Sequence, residues 1–288
     1  MSVFAGQGDP ARSMALLWRT DDATSERRAP GPKPGLTMDA IVEEAIAVAD
    51  AHGIAGLSMR AVAERLGVTA MALYTYVPGK RELLDLMYDG VHAELAGDYD
   101  LSAGWRTAVT WWSRDLVAFY VRHPWVLQVS FARPVLGPNE QNVLEVLVRI
   151  LRETGLPAGV LRRVVSVLFH FARGTAQTIA ESRLAATAGS ASEREWWSRR
   201  SAALNEVVPD FAQRFPMSAW LASQGPAHGT EKSTPYLERE AKEALEVGLT
   251  VLLDGIEVSM GNDPTLRDVP ADTRITRDPD RHGGSRRR

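Results

Sequence analysis

Apolar side chains recur along most of this chain at intervals of three and four residues. Ile41, Ala45, Val48 and Ala49 form one such stripe. Leu144, Leu147, Val148 and Leu151 form a second, and Val164, Val165, Leu168 and Phe171 a third. The longest runs through Ala241, Ala244, Leu245, Gly248, Leu249, Leu252, Leu253 and Ile256. That spacing puts apolar groups on one face of an α-helix, and alternation of period two over a strand length is absent. The expected fold class is all-α. Helix punctuation supports about ten segments. Thr37 can cap a helix ended by Gly53, Ser58 a second ended by Gly67, and Thr69 a third; a longer helix is expected from Lys80 to about Ala96. Gly97 to Gly104 reads as a connection between domains, Ala188 to Ser192 as a break, and Ser223 to Pro235 as a long polar loop.

The two ends read differently. Residues 1–35 are rich in Pro, Gly and mixed charge, and are expected to be a flexible arm carrying Arg27, Arg28 and Lys33. Residues 261–288 end in Arg286-Arg287-Arg288 and are expected to be a disordered basic tail. The resulting division is 1–35, a helix-turn-helix domain over 36–96, a larger helical domain over 97–260, and the tail.

Composition narrows the chemistry. There are no cysteines, which excludes disulfides and thiolate metal sites and fits a reducing cytoplasm. No uncharged apolar run is long enough for a membrane span, and no signal-peptide core precedes residue 35. A nucleophile elbow, paired metal-spaced histidines, a P-loop and a dinucleotide fingerprint are all missing, so neither an enzyme nor a cofactor is expected. His123 and His170 read as structural, and Glu238 and Glu240 as parts of a solvated helix face.

Residues 58–76 carry the functional signal. Two short helices crossing over a tight turn need a small residue at the crossing, here Ala63, and a left-handed backbone just past the first helix, here Gly67. Val62, Leu66, Val68, Leu73 and Tyr76 fall on the packed side; Ala70, Met71, Ala72, Tyr74 and Thr75 point outward, as a recognition helix requires. The run Gly56-Leu57-Ser58-Met59-Arg60, Ala63, Leu66-Gly67-Val68, Leu73-Tyr74 and Tyr76 to Leu84 resembles the N-terminal domain of TetR-family transcription regulators. The resemblance implies that Arg60 reaches a base edge or phosphate, and that Thr69, Ala70, Met71 and Ala72 face the bases. It also implies that Tyr74 and Tyr76 touch phosphate and sugar, and that Lys80 clamps the backbone. Ala70, Met71 and Ala72 lack the hydrogen-bonding side chains of the tetracycline repressor, so readout would lean on Arg60, Thr75 and contacts with thymine methyls.

Charge argues the other way. The whole chain carries −3, and residues 36–90 hold four positive against eight negative side chains, a net of −4. Asp39, Glu43, Glu44, Asp50 and Asp89 are expected away from the DNA face, leaving Arg60, Lys80 and Arg81 toward it. Few phosphate contacts and a modest salt dependence follow.

Residues 105–260 are also similar to the ligand-binding, dimerising domain of tetracycline-repressor-like proteins. The resemblance implies a homodimer through helices near 158–183 and 236–260, a two-fold operator of double-stranded DNA, and a small-molecule effector. The pocket-facing positions it implies are Trp112, Leu116, Ser166 and Phe169. Ala96, Trp112 and Val129 or Ser130 stand where the tetracycline repressor carries pocket His and Asn, so an apolar or aromatic effector without a metal is expected. Trp105, Trp111, Trp112, Phe119, Tyr120, Trp125 and Phe131 form a cluster that can line a pocket or fill a core, and Trp196-Trp197 can cover the pocket or the partner. A regulator or protein-interaction module working without an effector is the remaining alternative.

Overall fold

The computed structural model describes residues 3–19, 36–95, 97–188, 193–224 and 234–262. Arg27, Arg28, Lys33, Ala96, the break at 189–192, most of the 223–235 loop and the basic tail from residue 263 lie outside them. Among the described residues there are twelve α-helices and no strand: α1 (Pro10–Leu17), α2 (Met38–Gly56), α3 (Met59–Arg65), α4 (Ala70–Tyr74), α5 (Lys80–His92), α6 (Trp105–Arg122), α7 (Pro138–Arg152), α8 (Ala158–Ala188), α9 (Glu193–Val207), α10 (Phe211–Arg214), α11 (Pro216–Gln224) and α12 (Tyr236–Asn262). The helical periodicity thus has the all-α outcome it predicts.

Local chemistry sets the helix ends. Thr37, Ser58 and Thr69 cap α2, α3 and α4, each side chain accepting from the backbone N–H three residues on. Gly53 takes φ +68°, which breaks α2 near its end as expected. α5 stops at His92 and tightens into a 3₁₀ turn over Ala93–Leu95.

α5 is the central post. Every residue from Leu83 to Asp89 is buried, because α2, α1 and α7 all pack around it. In the larger domain α8 lies between α6 and α12. Ala241, Leu245, Leu249, Leu253 and Ile256 are the buried stripe of α12, while Val247, Val251 and Val258 stay exposed.

Three carboxylates of the smaller domain reach beyond it, two of them to the larger domain. Asp89 accepts from the backbone N–H of Asn139 (3.0 Å) and Glu140 (2.9 Å) and from Asn139 Nδ2 (3.0 Å), so a side chain of α5 caps α7. Burial raises its pKa against the pull of those donors. Asp50 accepts from Trp125 Nε1 at 2.8 Å and faces His123 Nδ1 at 2.8 Å; His123 Nε2 faces Glu94 at 3.0 Å. Asp85 is the third and is held by the N-terminal segment. His92 is fully enclosed, and desolvation pushes its pKa down to about 4, so its ring is neutral at pH 7.

Two expectations change. The flexible arm does not hold for residues 3–19: Asp9 caps α1 by accepting from Arg12 N, Pro10 sits at its first turn, and Leu16 and Leu17 are buried. The Pro/Gly composition of residues 29–35 is not the composition of residues 9–18, where the cap-proline signal outweighs it. Second, Glu238 is buried rather than solvated. It accepts from Arg183 Nε and Nη2 (2.9 and 2.8 Å) and pairs with Lys242 (2.7 Å), which hold its pKa down to about 2.

Candidate nucleic-acid interface and aromatic cluster

The turn between α3 and α4 is closed by backbone chemistry. Gly67, at φ +65°, donates to Glu64 O (3.2 Å), and Val68 donates to Ala63 O (3.0 Å). This pair of bonds is the Schellman arrangement, which needs a left-handed residue at its bend. Met59, Val62, Ala63, Leu73 and Val77 are buried beneath it, and Leu66, Val68 and Tyr76 pack partly against the same core. Leu73 is the anchor of α4, and Val77 is a core residue that the sequence reading left out.

With Leu73 facing in, the opposite side of α4 faces out. Met71 is 74% exposed and Tyr74 44%, and Thr69 and Thr75 are exposed too. Ala70 and Ala72 are half-buried, so the outward face is narrower than expected and Met71 dominates it. The Thr69 hydroxyl accepts from Ala72 N (3.3 Å) and keeps its own proton for another acceptor. Arg60 is exposed on α3. Lys80 is the first residue of α5, and Gly79 caps that helix without a side-chain hydrogen bond. Lys80 therefore stands at the N-terminal end of α5, with the acidic Glu82 in the same turn.

Ion pairs sort the remaining cations. Arg65 is paired with Glu44. Arg81 is exposed but donates to Gln7 O at 3.4 Å. That places residues 3–19 at the edge of the face; the Asp9-Pro10 cap signal was the clue to their structure.

The four pocket candidates separate. Trp112 and Leu116 are buried on α6. Phe169 is half-buried on α8, edge-on to Trp112 at 5.1 Å and 5.9 Å from Phe131. Ser166 is exposed, its hydroxyl 3.3 Å from His170 Nδ1. Trp112, Phe169, Phe131 and His170 therefore form one chain of ring contacts, running from the buried Trp112 to the exposed Phe131 and His170. Ser166 joins that chain only through the His170 ring nitrogen, and Leu116 is buried on the same helix as Trp112. Of the wider aromatic set, Phe119, Tyr120 and Trp125 are core, and Trp111 is exposed under the Arg114 guanidinium. A groove of about 550 Å³ opens between α8 and α12, lined by His170, Phe171, Gly174, Leu237 and Ala241 among others.

Residues 35–87 match the profile of bacterial regulatory proteins of the tetR family, and residues 100–260 match the tetracyclin repressor-like C-terminal domain. The chain belongs to the TetR family. It is a DNA-binding transcriptional regulator and not an enzyme, like the family whose two domains it carries in order. The HTH-type transcriptional repressor DrrR1 of Streptomyces coeruleorubidus is 37% identical over 255 residues, 88% of each chain. An HTH-type transcriptional regulator of Saccharopolyspora erythraea is 36% identical over 107 residues, 37% of this chain and 45% of that one. Among solved structures, the TetR-family protein ActR of Streptomyces coelicolor in complex with actinorhodin superposes with a TM-score of 0.62 at 25% identity. The match covers 80% of this chain and 99% of that one. Among the described residues no helix is long and apolar enough to cross a membrane, and no group of acidic and histidine side chains could hold a metal ion.

Proposed function

We propose that this TetR-family regulator is a cytoplasmic homodimeric repressor that leaves its operator when an apolar or aromatic effector binds the larger domain. The exposed face of α4 carries the DNA reading: an exposed Met71 has no packing role in the monomer, and Leu73 on the opposite side fixes its direction. In this reading Arg60 reaches a base edge or phosphate, and Thr69, Ala70, Met71, Ala72 and Thr75 face the major groove. Tyr74 and Tyr76 hold sugar and phosphate, and Lys80 clamps the backbone.

The dimer rests on unburied apolar surface. Val167 and Leu184 of α8, Val247, Val251 and Val258 of α12, and Trp196, Phe215, Met217, Trp220 and Leu221 over 193–224 are all exposed. A monomer seldom leaves so many large apolar side chains of two neighbouring helices to water. Pairing α8 and α12 with their copies covers the first set, and 193–224 lying on the partner covers the second. The effector reading rests on the ring chain Trp112–Phe169–Phe131, with Leu116 on α6 and Ser166 on α8, and is supported by the likeness to ActR, whose structure holds actinorhodin. Repression is supported by the likeness to DrrR1.

The burial of Trp112 and Leu116 favours a second reading, a regulator on the same fold that needs no effector. One experiment decides among these. Genomic DNA captured by the protein supplies an operator, and its mobility shift is measured with and without actinorhodin and other aromatic compounds. Arg60→Ala and Tyr74→Ala are expected to weaken the shift, and unchanged binding in both sinks the DNA assignment. Release by a ligand that Phe169→Ala abolishes supports the effector reading; no release by any compound favours the effector-independent one.

A further inference from the structure

Residues 3–19 have no part in the roles above, yet they are fastened to both domains. Val3 N donates to Gln128 O (2.9 Å) and Ser130 N donates to Val3 O (2.7 Å), a short parallel bridge to the loop after α6. Phe4 lies under the Arg133 guanidinium at 5.4 Å. The chain then crosses to α5. Gly6 N donates to Asp85 Oδ1 (2.8 Å), Ser13 Oγ donates to Asp85 Oδ2 (3.1 Å), and Gln7 O accepts from Arg81. Gly8 packs so tightly on Glu82 that a Cβ would collide with its carboxylate. Trp18 Nε1 returns to the larger domain and donates to Leu136 O (3.1 Å), while Arg19 pairs with Asp39 of α2.

The loop that receives Val3 is itself held from the aromatic side. Arg173 of α8 donates to the carbonyls of Leu127 and Val129, and Phe131 touches Phe169 and His170. Hydrogen bonds and ring contacts therefore run without a gap from Phe169 through residues 127–131 and Val3 to Arg81 and Asp85, one turn from Lys80.

We propose that residues 3–19 are a strap through which the Phe131–Phe169 cluster sets the position of the DNA-binding domain. The inference deepens the effector reading, since an effector parting those rings would act on the strap first. A held domain binds DNA with less ordering to do, so loosening the strap lowers operator affinity.

The chain has no cysteine, so Glu64→Cys and Glu145→Cys, both at exposed positions, take spin labels on the two domains without background. Pulsed electron–electron distances, with labelled chain diluted in unlabelled, and operator affinity are compared for the parent, Val3→Pro, Phe131→Ala and the double variant. Val3→Pro removes one N–H and replaces a half-buried valine with an apolar ring of similar size. It is expected to broaden the distance distribution and weaken operator binding about five-fold, the equivalent of one net hydrogen bond. Phe131→Ala is expected to act in the same sense alone and to add less than two-fold to Val3→Pro, since the route is already cut. Unchanged distances in Val3→Pro, or two effects that simply multiply, overturn the proposal. Asp85→Leu, similar in shape but without an acceptor for Gly6 N or the Ser13 hydroxyl, provides a second cut in the strap and is expected to behave like Val3→Pro. Binding of actinorhodin and the other aromatic compounds, read by tryptophan fluorescence, is scored separately: distances that respond as expected in a protein that binds none of them would end the effector reading and support the strap.

Discussion

The charge balance of the DNA face makes a quantitative prediction. Among the described residues, Arg60 and Lys80 are exposed and paired with no acid, Arg81 is exposed and donates to the Gln7 carbonyl, and Arg65 is neutralised by Glu44. Three available cations per protomer give about six displaced phosphate counterions for a dimer, and a slope of log affinity against log salt near −5. Raising salt from about 50 to 200 mM should then weaken operator binding roughly a thousand-fold. Lys80→Ala removes one contact from each half-site and should bring the slope to about −3.5, whereas Arg65→Ala should leave it unchanged. Fluorescence anisotropy on a labelled operator across a salt series measures all three. A parent slope near −10, or a Lys80→Ala slope equal to the parent's, would refute the count and the orientation of α5 behind it.

Other expectations concern stability. Glu238→Gln should cost about 1–2 kcal/mol at pH 7, discounted because Arg183 and Lys242 are half-exposed. Because the folded carboxylate titrates near 2, below its usual range, that contribution is present above about pH 4.5 and is lost as pH falls toward 2. Denaturant melts of the two proteins should converge there, and a gap that persists in acid would contradict the pairing. Gly137→Ala pushes a Cβ into the Asp89 carboxylate that caps α7 and should cost about 2–4 kcal/mol by thermal unfolding. Gly67→Ala meets no neighbour and only a φ of +65°, so a loss near 1 kcal/mol is expected, with operator binding reduced in proportion to the displaced turn.

The helix-turn-helix was legible because each requirement is local. Gly67 marks the bend, Thr69 the cap, and Val62 and Leu73 the packed side, all within a dozen residues. What could not be read depended on partners far away in sequence. Asp50 and Asp89 counted only as negative charges, although they fasten the two domains through Trp125 and the start of α7. Glu238 looked solvated because its burial is set by Arg183, 55 residues earlier. The α1 segment was misjudged because the average composition of residues 1–35 masked a short capped helix with its own apolar face. Of the effector candidates, Trp112 and Phe169 touch ring to ring, but periodicity places a residue on a helix face without saying which helix covers it.

The face of α4 also bears on the chemical state of the operator. Met71 and its two alanine neighbours present hydrocarbon and no hydrogen-bonding group. What such a surface senses in the major groove is the methyl on C5 of a pyrimidine. Thymine carries that methyl by default, and 5-methylcytosine carries it at the same position. If that face reads the bases as proposed, an operator with 5-methylcytosine in place of a contacted thymine should keep its affinity, and one with unmodified cytosine there should lose it.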